Sequence, residues 1–225
     1  MGKQIKVKGM RKVIAERMSE SWHVSPRVVY TASVNMQAAI DFKDKLKVKY
    51  AERGVKITIN HVFIKIAGQV LHEYPEMNAS FEDNAIILHD DINVGLAVDV
   101  EDGLIVPNIK NVQNLNYPCI AKKTDELIEK ARNMAVELDD IEGGTFTITN
   151  LGMLGVESFS PIINQPELAI LGINKVIKKP VCIDDEIVIR PMMNLNLVAD
   201  HRVIDGAKAA RVLGRFKELL ENPQE

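Results

Sequence analysis

Two hydrophobic periods alternate along this chain. Between Met10 and Trp22, the residues Val13, Ile14, Arg17 and Met18 recur at helical spacing with charged residues on the other face, which predicts an amphipathic helix. Pro26 stops it, and Val28, Tyr30, Ala32 and Val34 then recur at every second position, the period of a strand. Residues Met36 to Arg53 return to helical spacing, with Gly54 as the C-cap. A third helix runs through HVFIKIAGQVLHEY, capped by Thr58 or Asn60 and closed by Pro75.

From Asn78 the pattern shortens. AIILH, INVGLAVDV and GLIVPNI are brief runs rich in Val and Ile, and the turn EDG at 101–103 predicts a hairpin between the second and third. Tyr117 to Leu138 reads as one long helix, polar outside. TFTITNLG, LAILGI, VIKKPVCID and EIVIRPMMNLNLVADH are strand-like, and the last alternates Met193, Leu195, Leu197 and Ala199 with Met192, Asn194 and Asn196. A closing helix starts near Asp205 and runs to about Asn222. Helices and strands are mixed, and the second half is strand-rich. That favours an α/β or α+β sandwich with one large sheet over a barrel or a doubly wound fold. No repeat, low-complexity tract or linker divides residues 1–225, so one domain is expected.

Composition narrows the function. At 225 residues and 46% hydrophobic, the chain can bury a core without a disulfide or metal staple. A net charge of -3 argues against a general nucleic-acid binder. No apolar run approaches the roughly 20 residues that cross a membrane, and the first residues lack a secretory apolar region. Cys119 and Cys182 are too few for a disulfide framework, which suits a reducing compartment. GxGxxG, GxxxxGK[ST] and HExxH are all absent, so neither phosphate cradles nor zinc-protease chemistry is supported.

Histidine is the side chain best matched to proton transfer near neutrality. His23 and His89 fall at element ends, and His61 and His72, eleven apart, share one helical face as packing or surface residues. His201 differs, because DHRVIDGA places it between an apolar strand and an Ala-rich helix, where sites are often built. Asp205 is placed to cap that helix. A second motif, GGTFTITNLGMLG at 143–155, carries Thr145, Thr147 and Thr149 at alternate positions. Alternate threonines suit a half-exposed edge strand. They equally suit a strand that offers one hydroxyl to a developing oxyanion.

Together, DHRVIDGA and TFTITNLGMLGVESFSPIINQPELAILGI resemble the catalytic domain of the dihydrolipoamide acyltransferases, the E2 components of 2-oxo acid dehydrogenase complexes. MRKVIAERM and NVGLAVDVEDGLIVP match the same family, so the resemblance spans almost the whole chain. A bare HxxxDG also occurs in chloramphenicol acetyltransferases and peptide-synthase condensation domains, but those carry a second His where this chain has Asp200.

The resemblance implies a chloramphenicol-acetyltransferase-like two-layer α/β sandwich that forms a homotrimer with active sites between subunits. It implies transfer of an acyl group, acetyl as first choice, between dihydrolipoamide and coenzyme A. The general base would be His201, the oxyanion donor Thr149, and the residue orienting the loop Asp205, with Gly206 easing the turn into the last helix. Coenzyme A is a substrate here, and no metal is implied. Its phosphates call for a local basic patch, for which Lys175, Lys178 and Lys179 are the densest candidates. The lipoyl group would arrive on a separate domain, since lipoyl and subunit-binding domains do not match within 1–225. Partners would be that domain and the E1 and E3 components, in the cytoplasm of a bacterium or archaeon rather than a mitochondrial matrix. The polar end ELLENPQE leads to the expectation that assembly stops at the trimer. Two alternatives stand beside this reading: a free-standing acetyl-CoA-dependent acetyltransferase, and a non-catalytic core scaffold.

Overall fold

A computed structural model describes residues 2–101 and 103–225. In chain order it holds α1 (Gly9–Val24), β1 (Arg27–Asn35), α2 (Gln37–Ala51), α3 (Ile59–Glu73), β2 (Ala79–Glu82) and β3 (Ala85–Leu88). Four short strands follow: β4 (Val94–Leu96), β5 (Val98–Val100), β6 (Gly103–Ile105) and β7 (Asn108–Ile109). The remainder is α4 (Tyr117–Arg132), α5 (Leu138–Ile141), β8 (Phe146–Asn150), β9 (Ala169–Ile173), β10 (Ile177–Ile183), β11 (Glu186–Asp200) and α6 (Gly206–Glu221).

Seven strands make one mixed sheet in the order β1-β11-β9-β8-β4-β7, with β10 pairing the first part of β11. β8 runs parallel to β4 and β9, and the other pairs are antiparallel. Period-two alternation then sorts the side chains onto two faces. Val34, Met193, Leu195, Leu197, Leu171, Ile148 and Phe146 lie on the face that joins the main core with α2, α3, α4 and α6. Phe146 stacks on Phe216 of α6 with ring centroids 6.2 Å apart, both rings fully buried. Burying apolar area, most of it aliphatic, is the main driving force for closing the two layers.

The opposite face is more polar. Across it run Thr149, Gly172 and Asn196 in register, and next to that row Thr147, Ile170 and Val198. Ile163 covers Ile170 and Val198 as a second, small apolar cluster. Asn196 is buried and donates to Thr31 Oγ1 at 2.8 Å, while accepting from Asn174 Nδ2. The segment 156–168 crosses this face. α1 is tied to it where the Ser21 hydroxyl donates to the Ile163 carbonyl at 2.6 Å and Gln165 Nε2 donates to Ser25 Oγ.

Four expectations change. The inward stripe of α1 is narrower than its sequence suggests: Ile14 and Met18 are half-buried, but Val13 is 53% exposed and Arg17 lies outside. The long helix from Tyr117 stops at Arg132, because Met134 adopts a left-handed φ of 53° and the Ala135 N–H closes the end on the Lys130 carbonyl. Leu138 then begins the separate α5. His61 and His72 do share α3, but His61 is buried and His72 exposed, so they do not form one packed or exposed pair. Finally, β8 is interior to the sheet, flanked by β4 and β9, and Thr145 and Thr147 are buried. The threonine ladder is therefore not an edge. It faces away from the helices because Phe146 and Ile148 take the core side. The expected hairpin forms, with Val100 opposite Gly103, although Asp102 of the EDG turn lies outside the described residues.

Candidate functional site

His201 stands in the turn between β11 and α6, where its N–H donates to the Pro26 carbonyl at 3.0 Å. Its backbone is pinned while its imidazole is exposed and has no hydrogen-bond or ion-pair partner among the described residues. Around it the chain is held tightly: the Asp200 carbonyl accepts from both Val203 and Ile204, and the Asp200 N–H donates to Leu168. Ile204 is fully buried and anchors the turn to the core.

Asp205 takes the N-cap position of α6 with extended backbone, and its carbonyl accepts the Ala209 N–H at 3.0 Å. Its carboxylate, however, makes no capping hydrogen bond. The side-chain cap expected from sequence is absent, and the Asp205 carboxylate has no hydrogen-bond or ion-pair partner among the described residues. Gly206 has ordinary space as well: a Cβ there would lie 3.5 Å from the Tyr30 hydroxyl, and no positive φ requires glycine.

Thr149 is half-buried near the end of β8, and its hydroxyl likewise has no partner among the described residues. Gly172 sits beside it in register, and the missing side chain leaves room for the Phe159 ring, 3.2 Å from where a Cβ would stand. The chain turns sharply after it. Asn150 Oδ1 accepts the Gly152 N–H at 2.9 Å, and Asn150 Nδ2 donates to Asn60 Oδ1. At Gly152 a Cβ would lie 2.5 Å from the Asn174 carbonyl oxygen, a distance only glycine avoids.

The structure does not bring Thr149 and His201 together in one chain. Thr149 is level with Gly172 and Asn196. His201 lies five residues beyond Asn196, so the two are separated by about 16 Å along the strands and about 10 Å across them. They lie towards opposite ends of the β8–β9 part of the sheet, Thr149 near the end of β8 and His201 just past the end of β11.

The three lysines follow β9 at the Thr149 end. Lys175 is exposed, and its N–H donates to the Val156 carbonyl. Adjacent positions on β10 point Lys178 and Lys179 to opposite faces. Lys179 Nζ lies 3.9 Å from Glu157 Oε2.

Two features had weaker sequence signals. Asp200 is fully buried, and its carboxylate accepts from Arg202 Nε at 3.1 Å and from the Arg202 terminal nitrogen at 2.7 Å. The i, i+2 spacing within DHR was its only trace. Glu167 is 2% exposed. Its Oε1 accepts from Thr147 Oγ1 at 2.9 Å and Asn164 Nδ2 at 3.0 Å, while Oε2 has no partner. Burial pushes its carboxyl up to about 8, against the pull of those two donors. It lines a cavity of about 760 Å³ together with Arg17, His89, Asp91, Asn93 and Glu142. The acid immediately before the apolar run LAILGI was the only sequence hint.

Of the other histidines, His61 is buried, accepts the Thr58 N–H at Nδ1 and so confirms Thr58 as the cap residue of α3. Desolvation holds its basicity below the usual imidazole value. Both cysteines are free and exposed. Among the described residues, no group of three or more His, Cys, Asp or Glu could hold a metal ion, and no helix is long and apolar enough to cross a membrane.

Comparison with known proteins matches residues 2–225 to the family described as 2-oxoacid dehydrogenases acyltransferase (catalytic domain). A relative from Acholeplasma laidlawii, the dihydrolipoyllysine-residue acetyltransferase component of a pyruvate dehydrogenase complex, is 39% identical over 97% of this chain and 41% of its own. The chain spans about half the length of the curated relatives it matches. A crystal structure of the Azotobacter vinelandii dihydrolipoamide acetyltransferase superposes with a TM-score of 0.95 at 35% identity, covering 99% of this chain and 92% of that one. That work concerns a serine, a histidine and an asparagine in the catalytic mechanism. A chloramphenicol acetyltransferase covers 91% of this chain and 94% of its own with a TM-score of 0.59 at 15% identity, a likeness of fold.

Proposed function

The chain belongs to the family of 2-oxoacid dehydrogenase acyltransferase catalytic domains, and from that premise we propose that it moves an acetyl group between the thiols of dihydrolipoamide and coenzyme A. His201 takes the proton from the attacking thiol, which is mostly protonated at neutral pH. The sulfur adds to the thioester carbonyl and a tetrahedral oxyanion forms. The Thr149 hydroxyl donates to that oxygen. The carbon–sulfur bond to the other thiol then breaks, and His201 returns the proton to the departing sulfur.

Support comes first from spacing. In the Azotobacter protein the serine and histidine are 52 positions apart and the histidine and asparagine four. Here Thr149 and His201 are 52 apart, and His201 and Asp205 four. A threonine stands for the serine, keeping the hydroxyl, and Asp205 stands for the asparagine as an orienting residue.

The observation that carries the reading is the placement of two unpartnered groups towards opposite ends of the β8–β9 part of one sheet. One copy supplies the base and its neighbour the hydroxyl in a closed ring, which the family resemblance makes a homotrimer with sites between subunits. The carboxylate of Asp205 fits the same arrangement, since it makes no capping hydrogen bond and has no partner among the described residues. Lys175, Lys178 and Lys179 lie at the Thr149 end, where coenzyme A phosphates would enter. The second substrate arrives on a lipoyl-bearing domain. Residues 1–225 serve as the catalytic unit of a multienzyme complex with E1 and E3 components in a bacterial cytoplasm.

Complementation tests this directly. Acetyl transfer from acetyl-CoA to dihydrolipoamide is measured for His201→Ala, for Thr149→Ala and for the two co-expressed. Each variant alone is inactive or nearly so. Random mixing in a ring restores about a quarter of the sites, because each needs an intact His from one copy and an intact Thr from the next. No recovery in a mixed, folded oligomer would refute the shared site. An active His201→Ala would refute the mechanism.

A further inference from the structure

The side chains on either side of His201 are hydrogen-bonded to each other. The Asp200 carboxylate is fully buried at the end of β11. Its Oδ1 accepts the Arg202 backbone N–H at 3.0 Å and Arg202 Nε at 3.1 Å, and its Oδ2 accepts Arg202 Nε at 3.1 Å and the terminal nitrogen at 2.7 Å. The fork of the guanidinium matches the carboxylate, a geometry that lysine cannot reproduce. Arg202 is held on its far side too: its guanidinium carbon lies 4.7 Å from the centroid of the Phe81 ring on β2.

We propose that Asp200 and Arg202 are positioning residues, a clamp that closes the chain around His201 and sets the direction in which its imidazole leaves the sheet. The deduction rests on the acyltransferase reading for what His201 does, while the clamp geometry lies wholly within one chain. Among the described residues His201 is bonded through its N–H on Pro26, and its exposed side chain has no hydrogen-bond or ion-pair partner there. Its direction is therefore decided by the backbone at 200–204. Three hydrogen bonds onto Asp200 shape that backbone: Arg202 N–H on the carboxylate, and Val203 and Ile204 N–H on the carbonyl. The guanidinium neutralises the buried carboxylate, so that the turn is held without leaving a bare negative charge beside the base. Arg27 faces Asp200 across β1, but its guanidinium lies over the Trp22 ring. Arg17, Glu20, Glu82 and Asp83 share the groove that Arg202 lines. None of these is bonded to the Asp200 carboxylate.

The test compares Arg202→Lys, Arg202→Gln and Asp200→Asn in the intact oligomer, with the double variant Asp200→Asn/Arg202→Gln as the one that leaves no uncompensated buried charge. For Arg202→Lys, kcat for acetyl transfer falls about 10- to 100-fold, the cost of displacing a reacting group by about 1 Å, while KM for either thiol changes less than about twofold. The pH dependence of kcat/KM separates positioning from simple loss of structure. Arg202→Gln exposes His201 to an unneutralised carboxylate and moves the acid-side midpoint up. Asp200→Asn leaves an unneutralised guanidinium and moves it down. The double variant returns the midpoint towards wild type but leaves kcat low. Wild-type kcat and pH profile in a folded Arg202→Lys or double variant would overturn the clamp. The His201→Ala control distinguishes the two levels, since full activity there would remove the acyltransferase mechanism, not the clamp alone.

Discussion

Replacing Glu167 with Gln should make the protein's stability far less sensitive to alkali. The carboxyl is buried to 2% exposure, with Thr147 and Asn164 donating to one oxygen and nothing bonded to the other. Folding raises it from an ordinary value near 4.5 to about 8, chiefly by desolvation. A carboxyl raised on folding favours the folded state when protonated. Its contribution is therefore whole below about pH 4.5 and is lost as pH climbs towards 8. Each unit of difference is worth about 1.4 kcal/mol, so the group costs on the order of 5 kcal/mol of stability once pH passes 8. Glutamine keeps an oxygen for Thr147 and Asn164 and never ionises. The difference in Tm between Glu167→Gln and wild type, at one protein concentration, should grow by roughly 5–10 °C between pH 6 and pH 8 for a chain of this size. Taking the difference cancels the groups that titrate in both proteins. A Tm difference that stays constant from pH 5 to pH 9 would refute the buried, protonated carboxyl.

Three further outcomes follow from the site. Thr149→Ala should lower kcat about 100- to 1,000-fold with little change in KM, and Thr149→Ser should retain most of the activity, as initial rates would show. Asp205→Ala should shift thermal stability by less than a lost cap does, below about 0.5 kcal/mol, because its carboxylate caps nothing in its own chain, yet acetyl transfer should fall. Gly152→Ala places a Cβ 2.5 Å from the Asn174 oxygen and 2.8 Å from its carbonyl carbon, so denaturant unfolding should report a loss of about 1–3 kcal/mol and transfer should weaken as the turn after Thr149 shifts.

Much of the fold was legible because burial follows a period. The alternation of Met193, Leu195, Leu197 and Ala199 names the core side of β11, and α6 begins after Asp205 as its sequence predicts. What failed did so where tertiary structure overrides a local pattern. Thr145 and Thr147 look like edge residues, but they are buried because segment 156–168 lies over the second face of the sheet. The break after Arg132 depends on one left-handed residue, Met134, which no helical spacing announces. At the candidate site, His201 and Thr149 were singled out by motif. The Asp200–Arg202 bonds and the buried Glu167 needed coordinates, because a charged residue's partner is a matter of space and not of sequence distance.

The opposite-end placement of Thr149 and His201 bears on stoichiometry. An open string of such chains would always strand one base and one hydroxyl at its tips, whereas a closed circle matches every one. A single doubly disabled copy seated in a circle of three would silence two junctions and leave one working. If the proposed shared site holds, such a mutant would poison its healthy companions in a mixed cell, and activity in a purified sample would fade on dilution before any individual chain unfolded.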